Sequence, residues 1–251
     1  MKFISFGSGS CGNCYFLGND SYGILIDAGI SSRKIKKYLK EVGYDISQIH
    51  AVFITHDHFD HIKSVGTVGE VYNTAVFSTS DILTGINKCY KITEKLYQSK
   101  RPINLLEEVC VKDFKVTAFE VEHDSSQCVG YHIEFEGEKI TLATDLGGIN
   151  ETAREYICKA DHVVIESNYD EEMLINGHYH YVLKKRILGG NGHLANHVTM
   201  RFLAENFQPH WKNIFFCHLS QNNNTPDTVM CAATTALQGK NINLAPLPRT
   251  K

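Results

Sequence analysis

The chain has 251 residues, 43% apolar and 21% charged, the composition of a soluble globular protein long enough to bury a substantial core. With 25 basic against 28 acidic side chains the formal net charge is −3, which excludes a uniformly basic nucleic-acid binder and confines any polyanion contact to a local patch. Met1 to Leu17 lacks the layout of a secretory leader, no apolar run reaches membrane-span length, and the eight cysteines are scattered through apolar segments as reduced thiols, so the expected compartment is the cytoplasm and no membrane partner is expected.

In chain order, residues 2–6 and 13–17 read as short strands joined by the glycine-rich loop Gly7-Ser8-Gly9-Ser10-Cys11-Gly12. A strand over 23–26 delivers Asp27 to the start of a helix over 33–42, which stops at Gly43. Cys11 and Cys14 have the spacing of a ligand or redox pair, but no second pair completes a zinc site and no helix follows, which predicts a loop with free thiols. The apolar run Ala51-Val52-Phe53-Ile54 predicts a buried strand, followed by a helix over 62–72, a strand over 75–78 and a helix from 81 to about 96. Strands follow over 114–121 and 129–135, the second pairing with 139–143 across Glu136-Gly137-Glu138. The later half alternates: helix 151–159, strand 162–165, helical material over 171–188, helix 195–207, strand 213–217, and a last helix opened by Thr225-Pro226-Asp227. The class expected is α/β, one domain over 1–251, with two mixed sheets face to face and helices on the outer faces: a four-layer αββα sandwich.

Directly after Ile54 comes Thr55-His56-Asp57-His58-Phe59-Asp60-His61. Imidazole suits zinc, iron and manganese while carboxylate oxygens suit harder ions, and the mixture at the end of a buried strand predicts two first-row divalent metals rather than a solvated turn. His123, Asp145 and His218 each follow an apolar strand, as His56 does, so ligands from several strand ends are expected to converge. The expected assignment is His56, His58 and His123 on one ion and Asp60, His61 and His218 on the other, with Asp145 bridging. Ions so placed would lower the pKa of a shared water and polarise the bond attacked.

The series His56-x-His58-x-Asp60-His61, then His123, Asp145 and His218, resembles the motifs of the metallo-β-lactamase fold superfamily. Gly7-Ser8-Gly9-Ser10-x-Gly12-Asn13-Cys14, Glu166-Ser167-Asn168, Gly192-His193-Leu194-Ala195-Asn196 and His218-Leu219-Ser220-x-x-Asn223-Asn224-Thr225-Pro226 resemble its bacterial YycJ/WalJ-like branch, over nearly the whole chain. The resemblance implies metal-dependent phosphodiester hydrolysis, specifically a 5′→3′ exonuclease on double-stranded DNA, with DNA ends as partner and two ions of Zn2+, Mn2+ or Fe2+ (Zn2+ or Mn2+ foremost). Two departures stand out: Cys11 in place of a small hydroxyl residue and Ala195 in place of Ser. They leave the metal assignment intact and loosen the substrate contacts. Asp145 and His218 lie too close in sequence for the large inserted domain of the RNA-processing relatives. Two other readings keep the metals: a hydrolase of a thioester, lactone or cyclic phosphate, and a DNA-binding protein without turnover.

Around the ligands, Asp27 is expected to accept a hydrogen bond from a ligand imidazole or its loop. Asp60 and His193 are the candidate catalytic groups, His193 holding a phosphate at the helix start near Asn196 or protonating the leaving oxygen. Glu166, Asn168 and Asn196 are expected to brace the His193 loop or line the substrate. Lys184-Lys185-Arg186 is the basic cluster nearest in sequence to His193 and a candidate grip on a DNA backbone. The remaining histidines, among them His50, His132 and His162, read as surface or core residues.

Overall fold

The computed structural model describes residues 1–123, 125 and 127–249, with the backbone alone for 190 and 191. The chain gathers into two compact units, one of Met1–Ala118, Ser125–Val129 and Pro248–Lys251, the other of Phe119–Asp124 and Gly130–Leu247.

In the first unit, β1 (Lys2–Gly7), β2 (Cys14–Gly18), β3 (Gly23–Ile26), β4 (Ile49–Phe53), β5 (Ala75–Ser78) and β6 (Lys100–Pro102) lie side by side in chain order. The first three are antiparallel, and each step from β3 to β6 is parallel. Interior parallel strands bury both faces, which is why β3 and β4 read as nearly unbroken apolar runs. Helix α1 (Ser32–Glu41) opens where the Ser31 hydroxyl accepts from the Lys34 N–H, and it buries the stripe Ile35, Tyr38 and Leu39. The helix expected over 62–72 is broken into α2 (Phe59–Ile62) and a π-helical turn over Thr67–Val71, because the Ser64 N–H leaves the helical ladder for the Ala28 carbonyl. The helix expected from 81 to about 96 is α3 (Ser80–Lys88) alone. The Asn87 carboxamide binds both the N–H and the C=O of Leu96 and folds 89–96 back as a loop.

The second sheet comprises β7 (Glu108–Val111), β8 (Phe114–Glu120), β9 (Val129–Phe135), β10 (Glu138–Ala143), β11 (His162–Glu166), β12 (Asn213–Cys217) and β13 (Asn243–Pro246), in the order β13-β12-β11-β10-β9-β8-β7. β9 and β10 form the expected hairpin, and β10 through β13 are parallel. Parallel neighbours need long connections. These are α4 (Glu151–Lys159) after β10, then α5 (Glu171–Asn176), α6 (Tyr181–Arg186) and α7 (Asn196–Glu205) before β12, and α8 (Pro226–Ala236) before β13. The helical stretch expected over 171–188 parts at Gly177, where a Cβ would lie 2.7 Å from the Asn223 Oδ1, and it continues past α6 as a π-helical turn over Ile187–Asn191. β6 and β13 are short and carry proline, so neither shows a strand pattern.

Both sheets are mixed and accompanied by helices, the α/β class expected. Just past β3, β10 and β12 the backbone enters the left-handed region at residues other than glycine: Asp27 (φ 60°), Asp145 (φ 54°) and His218 (φ 54°). All three are expected site residues.

Candidate metal centre

In the first unit the metal heptapeptide continues β4. The Ile54 N–H donates to the Phe77 carbonyl, and Thr55, His56 and His61 are fully buried, while His58 and Asp60 are half-buried. The ring centroids of His56 and His58 lie 4.6 Å apart, those of His56 and His61 4.0 Å. Asp27, fully buried, accepts from the Thr55 N–H at 2.9 Å and hydroxyl at 2.9 Å, and from His61 Nδ1 at 2.7 Å. Burial pushes its carboxyl up, an effect that the His61 imidazole and the Thr55 donors offset only in part. Because the Thr55 hydroxyl gives its proton to Asp27, it can accept from His56 Nδ1, 3.1 Å away.

Asn13, quoted in the glycine-rich motif but given no role there, completes this half. Asn13 Oδ1 accepts the Gly9 N–H at 2.8 Å, which turns its amide nitrogen toward His61 Nε2 at 2.8 Å and Asp60 Oδ2 at 3.4 Å. The Asn13 backbone N–H also holds the Asp60 carbonyl at 2.8 Å. The glycine-rich loop was the signal, since close backbone approach is what such a loop permits. Gly29 meets the same carbonyl: a Cβ there would lie 1.6 Å from Asp60 O. Cys14, buried, and Cys11, exposed, are both free thiols.

In the second unit, adjacent parallel strands deliver Asp145, Glu166 and His218 at their C-terminal ends, and together with His193 these bring one donor atom each within 4.8 Å of one another. Glu166 is the hub. Its Oε1 accepts from His193 Nδ1 at 2.7 Å and His218 Nδ1 at 3.0 Å, its Oε2 from the N–H groups of Leu146 at 2.8 Å and Leu194 at 3.0 Å. Burial pushes the Glu166 carboxyl up, but the two imidazoles outweigh it and hold the group below the usual carboxylate range. Asp145 Oδ1 lies 3.4 Å from His218 Nδ1 and 3.9 Å from His123 Nε2, and its other oxygen accepts the Thr144 hydroxyl. His123 is held from behind, its Nδ1 2.9 Å from the Gly192 carbonyl.

The expected bracing residues are buried here. Asn168 donates to the His218 carbonyl at 2.6 Å, and Asn196 joins Ser167 and Asn224 in a network that sequence reading missed at Asn224. At the start of α7, Ala195 and Asn196 are buried and the Asn196 N–H donates to the Tyr169 carbonyl, which takes one of the N–H groups that an anion there would need. His193 keeps 26% of its side chain exposed. Of the basic cluster on α6, Lys185 and Arg186 are exposed and Lys184 donates to the Ile175 carbonyl.

The donor set suits divalent ions. His56, His123 and His218 each engage Nδ1 with an oxygen (of Thr55, Gly192 and Glu166 respectively), which makes Nε2 the nitrogen each can offer a metal; His61 engages Asp27 through Nδ1 in the same way, but its Nε2 faces the Asn13 amide nitrogen at 2.8 Å, which an ion would have to displace. Asp60 and Asp145 add carboxylate oxygens.

The family model of the metallo-beta-lactamase superfamily matches residues 10–184. The exodeoxyribonuclease YycJ of Bacillus anthracis is 28% identical over 240 residues, 96% of this chain and 90% of that protein. The exodeoxyribonuclease WalJ of Streptococcus pneumoniae is 29% identical over 224 residues, 89% of this chain and 83% of its own. Among solved structures, Zn2+-bound PqqB from Methylobacterium extorquens superposes with a TM-score of 0.73 at 16% identity, over 99% of this chain and 98% of that one, a likeness of fold.

Proposed function

The chain belongs to the metallo-β-lactamase superfamily, and from that premise we propose that it is a dinuclear metal-dependent phosphodiesterase, a 5′→3′ exonuclease acting on the ends of double-stranded DNA in the cytoplasm. His56, His58 and His123 would hold one ion and Asp60, His61 and His218 the other, with Asp145 shared between them. Zn2+ or Mn2+ fits this mixture of imidazole and carboxylate, and Fe2+ is the third choice. Such ions would supply a water of lowered pKa and neutralise charge on the phosphate oxygens.

The residues of the chain do the positioning. Asp27, Thr55, Glu166 and the Gly192 carbonyl fix four imidazoles through Nδ1, so the ligands meet an incoming ion already oriented. Glu166 fixes His193 in the same way, which orients it to pass a proton to the leaving oxygen. The common Nδ1 anchoring is the observation that carries the metal hydrolase; the polymer comes from the relatives, both named exodeoxyribonucleases. No helix among the described residues is long and apolar enough to cross a membrane.

The test uses protein loaded in turn with Zn2+, Mn2+ and Fe2+, offered 5′-labelled linear duplex, closed circular duplex, a thioester and a lactone. Nucleotides released from the labelled ends of the linear substrate alone are the expected result. Hydrolysis of the thioester or lactone with the DNA intact would move the assignment to a small molecule. End binding with no hydrolysis at all would move it to a scaffold.

A further inference from the structure

Beside the metal heptapeptide, still within the first unit, is a cleft of about 520 Å³ lined by Asp57, His58, Asp81, Thr84, Lys88 and Cys89. α3 can approach the heptapeptide because residue 85 is glycine: a Cβ there would lie 1.9 Å from Asp57 Oδ2. From Cys89 the chain leaves α3 as a tightly held loop. Ile92 and Leu96 are buried, Asn87 binds the backbone of Leu96, Lys95 Nζ donates to the Cys89 carbonyl at 2.7 Å, and Glu70 Oε1 accepts from the N–H groups of Tyr97, Gln98 and Ser99.

A loop so firmly pinned nevertheless carries Tyr90 at 88% exposure. Lys91 Nζ sits 5.0 Å from the ring centroid of Phe59 and 5.8 Å from that of Tyr90. Phe59 follows His58 directly, so an aromatic and cationic ladder runs from the metal motif to the tip of the loop. Fixed aromatic faces beside lysines are what an unstacked nucleotide needs: π-stacking for the base and positive charge for the phosphate. The carboxylates of Asp57 and Asp81 suit the amino edge of a base.

We propose that this cleft and loop form a nucleotide subsite, in which an unpaired nucleotide at a DNA strand end stacks on Tyr90 and directs its phosphates to Lys88 and Lys91, beside His58. The proposal rests on the phosphodiesterase reading above and names the form in which that substrate is presented: a frayed or overhanging end.

The test is binding of metal-loaded, full-length protein to a duplex whose single-stranded overhang ends in 2-aminopurine and carries phosphorothioate linkages to slow turnover. A blunt duplex and an RNA overhang run in parallel. The DNA overhang should bind more tightly than the blunt duplex and its fluorescence should be quenched. Tyr90→Ala should lose the quench and weaken binding roughly tenfold, while Tyr90→Phe keeps both and unchanged thermal melting shows both variants folded. Lys91→Ala should flatten the salt dependence by about one counterion. A Tyr90→Ala protein that quenches and binds like wild type overturns the subsite, as does a Tyr90→Phe protein that fails equally. Quenching of the RNA overhang alone overturns the choice of DNA. Because binding is read without turnover, Tyr90-dependent quenching in a protein that cleaves no phosphodiester would uphold the subsite and remove only the activity.

Discussion

His61 Nδ1 lies 2.7 Å from Asp27 Oδ2, with both side chains fully buried, which sets the imidazole of this proposed ligand before any ion arrives. The carboxylate does so from the strand next to the one that leads into the metal motif, since β3 and β4 are parallel neighbours. Asp27→Asn keeps the shape, and asparagine tolerates the left-handed backbone at this position. The carboxamide keeps an oxygen for the Thr55 N–H but sets an NH2 donor against His61 Nδ1 in place of an acceptor, which is expected to weaken metal affinity roughly 10–100-fold, read by competition with a chromophoric chelator. Unchanged affinity would remove Asp27 from the role of positioning a ligand.

His193 differs from the imidazoles of His56, His61, His123 and His218, all buried, in keeping a quarter of its side chain open to solvent. His193→Ala should lower turnover on linear duplex by about 10²–10⁴-fold with metal content unchanged. Parallel loss of metal and activity, measured by elemental analysis beside kinetics, would make it a ligand or a structural residue.

Gly29 is a place in the first unit that tolerates no side chain, with Asp60 O only 1.6 Å from where a Cβ would stand. Gly29→Ala must push α2 away, and Asp60 and His61 move with it. The urea midpoint should fall by an amount corresponding to at least about 1–3 kcal/mol, and metal affinity should fall with it. An unchanged midpoint would mean that the heptapeptide is less tightly seated than its contacts imply.

His132, buried in the second unit against the Thr141 hydroxyl at 2.7 Å, has its pKa lowered by burial to about 4. The folded value lies below the unfolded one of about 6.5, so between these limits the unfolded chain binds the proton more readily and stability falls as pH falls. The effect is complete near pH 4 and amounts to no more than about 3 kcal/mol. Urea unfolding of metal-free His132→Gln should show a flatter stability profile between pH 4 and 6.5 than metal-free wild type. Parallel profiles would show that His132 binds its proton as readily in the fold as in the unfolded chain.

The strands nearest the site were legible because interior parallel strands carry continuous apolar runs: residues 51–54, 162–165 and 213–217 each lead into a histidine or a carboxylate. Asp27 was legible for the same reason. Asn13 was not, because its meaning depends on a loop closing across 48 positions to reach His61. The Glu166 hub was visible only as an acidic strand end; that one carboxylate would orient two imidazoles follows from the spacing of neighbouring strands, which no local pattern encodes. The end of α3 was misread because Cys89, Ile92 and Leu96 recur at helical spacing while serving as anchors of a loop. Periodicity reports burial, and burial alone does not say which backbone achieves it.

The left-handed bends at Asp145 and His218 set two demands against each other. Such a bend costs of order 1 kcal/mol for any residue with a side chain and almost nothing for glycine. A population selected for heat resistance alone would drift toward glycine at Asp145, gaining toughness and giving up the carboxylate that the proposed ions would share. One selected for turnover has to keep the awkward residue and find its robustness elsewhere in the molecule.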